Sequence, residues 1–142
     1  MKYDWSSFGI DQGSSVDGNK ISQVQKTIGV VFPDAYLDLV AYADEASPEI
    51  SSFRYGDGET CISEFFPFST ELTPYTISWY LGPGAPPQLP KGMIPIARDA
   101  GGSLICLNFE TPDVAVEIFD PTSSKTYVVA SSFDDFINSW HE

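Results

Sequence analysis

KGMIPIARDAGGSLICLNF, residues 91–109, decides the fold. Met93 to Ala97 is apolar apart from its proline, and Leu104 to Phe109 is apolar apart from Asn108. Asp99-Ala100-Gly101-Gly102 between them is turn chemistry, so two strands meet at a tight reversal. The stretch therefore predicts a β-hairpin in the core sheet. A short hairpin loop needs positions with φ > 0, which glycine reaches without a Cβ clash. Asp99 can fold its carboxylate back onto the amides of the turn. The spacing matches neither a dinucleotide loop nor a P-loop, so the Asp-Gly-Gly cluster reads as a structural turn.

Downstream, Glu110-Thr111-Pro112-Asp113 reverses the chain into VAVEIF, where Val114, Val116 and Ile118 are expected on one face. Asp120 to Ser124 turns it again into TYVVA, and strands joined by such short links are most simply antiparallel. SSFDDFINSW then spaces Phe133, Phe136, Ile137 and Trp140 as one helical face, with Ser131 or Ser132 and Asp134 or Asp135 forming a capping-box-like start.

Upstream, residues 1–19 read as an irregular arm broken by Gly9, Gly13 and Gly18, with Trp5, Phe8 and Ile10 available to pin it. Residues 20–142 form one domain. Ile21, Val24 and Ile28 mark a first amphipathic helix, capped by Asp17 or Asn19 and stopped by Gly29. Pro33 fits the first position of a second helix, DAYLDLVAYA, with Tyr36 or Leu37, Val40 and Ala43 inward and Asp34 and Asp38 outward. SSFRYGDGETCISEFFPF reads as a hairpin turning at Gly56-Asp57-Gly58-Glu59. Pro74 can start a third short helix, TPYTISWYL, ended by the Gly82–Pro87 loop. The expected class is α+β: a single domain with a mainly antiparallel sheet, flanked by N-terminal helices and a C-terminal helix.

Twenty acids stand against seven bases in 142 residues, a formal net charge of −13. Such a surface repels phosphate backbones and anionic membranes and attracts basic proteins. No apolar run is long enough for a signal peptide or a membrane span, so a soluble, cytoplasmic protein is expected. Cys61 and Cys106 lie far apart without metal-ligand spacing and are expected to be buried free thiols. The one histidine, His141, lies at a chain end expected to fray. No HExxH, GxSxG, CxxC or Walker sequence is present, and neither an enzyme, a cofactor nor a metal is expected.

Three segments in this order resemble the SUKH superfamily, which includes bacterial toxin-immunity proteins and a yeast regulator of cell-wall synthesis. They are the first helix with TIGVVFPDAYLDLVAYA, then GMIPIARDAGGSLICLNF, then SSFDDFINSW. On that resemblance Pro95, Ala97, Asp99, Gly101 and Gly102 are signature positions, with Pro33 and Tyr36 those of the second helix. Many relatives carry an Asn-Gly-Gly-like turn after that helix, where this chain has Asp44-Glu45-Ala46-Ser47-Pro48. The resemblance implies a non-catalytic immunity protein that binds and neutralises a cognate toxin, a nuclease being the favoured class. The alternative is a regulatory scaffold or adaptor for a non-toxin partner. An acidic patch of Asp34, Asp38, Asp44, Glu45, Asp57 and Glu59 is the expected partner surface, with Tyr42 and Tyr55 as anchors in competition with core packing.

Overall fold

The structure, a computed structural model, describes residues 2–142. Helices α1 (Gly18–Ile28) and α2 (Asp34–Tyr42) lead into six strands, and helix α3 (Phe133–Asn138) follows them. The strands are β1 (Ser52–Tyr55), β2 (Gly58–Phe65), β3 (Met93–Asp99), β4 (Leu104–Asn108), β5 (Ala115–Asp120) and β6 (Lys125–Ala130). They form one sheet in the order β1-β2-β3-β4-β5-β6, with every pair antiparallel. The chain is thus a single α+β domain.

The central hairpin is β3–β4, with Met93 opposite Asn108 and Arg98 opposite Leu104. Asp99 closes it: Oδ1 accepts from the backbone N–H groups of Gly101 (2.9 Å) and Ser103 (2.8 Å), and Oδ2 accepts from Thr60 Oγ1 at 3.1 Å. One buried carboxylate therefore ties the turn to β2. Gly102 has φ +89°, which a Cβ would strain. Pro95, which has no N–H for the ladder, lies at a register shift between Pro95 and Ala97. A bulge is how a central strand accommodates proline.

Phe65, Ala97, Ile105, Ile118 and Tyr127 are successive register partners across five strands, so they share one face of the sheet. Helix α3 packs on this face, where Phe136 meets Phe53 at 4.9 Å and Phe133 meets Phe65 at 6.4 Å, and α2 joins it through Tyr36, 5.6 Å from Phe133 between ring centroids. Pro95, Cys106 and Glu117 line up on the opposite face and are buried too. The sheet centre is covered on both sides, which explains why β3 to β5 read as apolar runs without alternation. Twist brings the two edges together at Tyr55 and Tyr127, 5.6 Å apart.

Local chemistry accounts for the helix limits. Asp17 caps α1 by accepting from the Lys20 N–H, and Gly29 ends it in the left-handed region. Ser132 caps α3 by accepting from the Asp135 N–H, the first half of a capping box, while the Asp135 carboxylate accepts from the Ser131 hydroxyl at 2.8 Å. Pro33, expected as the first helical residue of α2, is instead its N-cap, and the helix begins one position later at Asp34. In the arm, Trp5 and Ile10 are buried and Phe8 packs edge-on against Trp140 at 5.1 Å.

Several expectations are corrected. Residues 74–81 form no α-helix, only turns and a 3-10 turn at Trp79–Leu81. Tyr75 has φ +76°, which breaks the helix immediately after Pro74. Thr76 Oγ1 donates to the Glu71 carbonyl and accepts from the Trp79 N–H, replacing ladder bonds with side-chain bonds. The first hairpin loop is Gly56-Asp57 alone, since Gly58 pairs with Tyr55 and Glu59 with Arg54 inside the strands. Val114 has φ +56° and precedes β5, so it does not alternate with Val116 and Ile118. Cys61 is half-buried, whereas Cys106 is fully buried. His141 is not frayed: its backbone exchanges two 3.0 Å hydrogen bonds with Ser52 of β1.

Candidate functional site

The acids expected to form one patch fall into three places. Asp34 and Asp38 lie on α2 with half-buried Tyr42, Asp44 and Glu45 follow that helix, and Tyr55, Asp57 and Glu59 belong to the β1–β2 hairpin. Among the described residues no hydrogen bond or ion pair links one group to another. Asp38 lies near α3, where its charge acts with those of Asp134 and Asp135 on the Tyr3 phenol. Burial and the hydrogen bond to Asp134 push that phenol up to about 12.

Asp44 has a structural task. Its Oδ1 accepts from the Phe68 N–H at 3.0 Å, which holds the segment after β2 against the end of α2. Burial raises its carboxyl above the ordinary value, although the Phe68 bond pulls the other way. Glu45 has φ +60° and is exposed, and no ion pair holds its carboxylate among the described residues. In the hairpin, Tyr55 leans on Tyr127, and Glu59 lies between Arg54 (3.7 Å) and His141 (3.8 Å). Asp57 occupies the two-residue loop and is exposed.

The structure adds a site that the sequence reading missed. A cleft of about 440 Å³ opens where Glu45 and Ser47 face Glu64, Phe66, Tyr75 and Arg98. Arg98 Nε pairs with Glu64 across the β2–β3 register. On the other side of Tyr75 a groove of about 470 Å³ runs between Trp79, Tyr80, Pro83, Pro86, Leu104 and Pro121. An aromatic ladder joins the two. Tyr75 meets Trp79 at 5.3 Å, Trp79 meets Tyr80 at 5.0 Å, and Tyr80 stacks on buried Phe66 at 4.5 Å. Burial raises the Tyr80 phenol, whose charge neighbours are Arg98, Tyr75 and Glu64.

Two signals in the sequence pointed at this site. Arg98 is the one basic residue of β3, and Tyr75 and Trp79 are large aromatics in a loop bounded by prolines. Their meeting point was hidden because the β2–β3 register is set across residues 66–92, which carry no regular hydrophobic period. Among the described residues no three His, Cys, Asp or Glu side chains gather to hold a metal ion. No helix among them is long and apolar enough to cross a membrane.

An antiparallel meander with two leading helices, a capped closing helix and a hairpin turn at Asp99-Ala100-Gly101-Gly102 defines the class as a single α+β domain. The chain matches the SMI1 / KNR4 family (SUKH-1) over residues 15–139 and belongs to that family. A comparison with curated proteins gives no significant match.

Proposed function

We propose that this chain is a non-catalytic immunity protein that binds a cognate bacterial toxin, with a nuclease as the favoured class, in the cytoplasm that toxin attacks. Family membership carries the reading. The acids describe the partner: of twenty, only Glu59, Glu64 and Asp134 have a cationic partner within 4.0 Å among the described residues. Of the rest, those that are also exposed, such as Glu45 and Asp57, steer a basic protein surface into contact, and a few aromatic anchors then hold it. Neutralisation is steric and electrostatic occlusion, which requires no cofactor.

Co-expression tests this directly. Cells producing the C-terminal domain of a toxin-like protein encoded beside this gene should survive only when this chain is present. Reversing Asp34 with Asp38, or Asp57 with Glu59, locates the surface: the pair that belongs to it should slow association about tenfold at low salt. Persistent killing under co-expression contradicts the reading for that toxin. A regulatory adaptor for a non-toxin protein is the second reading, because the matched family is described by SMI1 / KNR4 and not by a toxin system.

A further inference from the structure

The surface around Tyr75 has features that the acidic face alone does not explain. Tyr75 is 59% exposed, a large exposure for an aromatic ring whose one ring neighbour among the described residues is Trp79. Trp79 is held firmly beside it. A Cβ at Gly84 would sit 2.2 Å from Trp79 Cε3, so the Gly84 backbone lies directly on the indole. The ring is therefore fixed before any ligand arrives, which lowers the entropy cost of binding. The ladder from Tyr75 through Trp79 and Tyr80 ends on buried Phe66, which anchors the groove to the core.

Charge selects the occupant. The cleft beside the groove holds Glu45, Glu64 and Arg98, and the Arg98 charge is taken up by Glu64. Glu45 is left as the uncompensated group, so the cleft favours a cation. A second copy of this chain, with its net charge of −13, is a poor candidate. Grooves walled by tyrosine, tryptophan and proline suit the polyproline II conformation, which is extended and already ordered before it binds.

We propose that the Tyr75 groove and cleft together dock an extended, proline-rich segment of a protein partner. Its prolines lie against Tyr75 and Trp79, and an adjacent arginine or lysine enters the cleft toward Glu45. This rests on the reading that the chain binds proteins, and it names the chemistry of one segment it takes.

The test uses the full chain and three peptides: Ac-PPLPPR-NH2, Ac-PPLPPE-NH2 and Ac-AALAAR-NH2. Tryptophan fluorescence reports the groove, because Trp5 and Trp140 are buried at 1% and 7% exposure while Trp79 is half-buried. The first peptide should give a saturable change, and the other two should bind at least about fivefold more weakly. Glu45→Gln and Tyr75→Ala should each weaken the first peptide by a similar factor, with amide chemical shifts confirming an intact fold. Absence of any change up to about 1 mM peptide overturns the proposal, as does equal binding of all three peptides or indifference to both substitutions. Binding of free arginine amide as tightly as the peptide also overturns it, since no extended segment would then be recognised. No toxin enters this titration, so a negative result leaves neutralisation standing, and a toxin that fails to bind leaves the groove result standing.

Discussion

Asp44 and Glu45 are neighbours in sequence with different tasks. Asp44 turns inward and holds the Phe68 N–H, while Glu45 takes a left-handed backbone and meets solvent at the cleft. Sequence alone counted both as surface acids, because nothing in Asp44-Glu45-Ala46 says which carboxylate meets a backbone amide 24 residues away. Asp44→Ala leaves that amide without its acceptor and should cost about 1–2 kcal/mol in urea unfolding at neutral pH. Asp44→Asn keeps an acceptor oxygen and sheds a half-buried charge, so it should cost nothing there or stabilise. The pH dependence has a definite sign. The folded pKa of Asp44 is raised, chiefly by burial, so its contribution is full below the ordinary carboxylate pKa and lost as pH rises through the raised value. Wild type should therefore lose stability relative to Asp44→Asn as pH climbs through that window. A difference that grows in the opposite direction contradicts the assignment.

At the scale of elements, legibility followed periodicity. Helices α1, α2 and α3 carried a repeating apolar pattern and the β3–β4 hairpin two apolar runs around turn residues, and each formed at the expected place, except that α3 ends at Asn138 and leaves Trp140 of the expected helical face beyond it. The 73–81 segment also showed a helix start signal at Pro74, yet it folded into turns because Tyr75 and Thr76 satisfy the backbone in another way. The cleft depends on that departure, which is why its residues were not gathered by sequence reading. The N-terminal arm offers a contrast between two kinds of attachment. Trp5 is buried at 1% exposure between Tyr3 and Phe8, whereas Lys2 and Tyr3 meet Asp134 at the surface. Burial should outweigh the polar latch. Trp5→Ala is expected to cost about 3–5 kcal/mol and Asp134→Asn under about 1 kcal/mol, measured by chemical denaturation. Equal losses would mean that the arm is held by its polar contacts.

At the scale of the whole molecule, the order of the pieces carried more information than any one of them. Three segments in order, the leading helices, the β3–β4 hairpin and the closing helix, sufficed to indicate the family by resemblance, and the family match spans them over residues 15–139. Net charge suggested a kind of partner, but the location of its contact surface depends on how loops fold over a sheet buried on both sides. The central claim is that this chain acts by binding and is not consumed or turned over as a catalyst. Titrating a fixed amount of the adjacently encoded toxin domain with this protein, and following the toxin's activity to completion, tests that claim most directly. Binding predicts a linear fall that ends at one equivalent and does not deepen with longer incubation. Progressive loss of toxin activity at a small fraction of one equivalent would contradict it and show that the chain is an enzyme acting on the toxin.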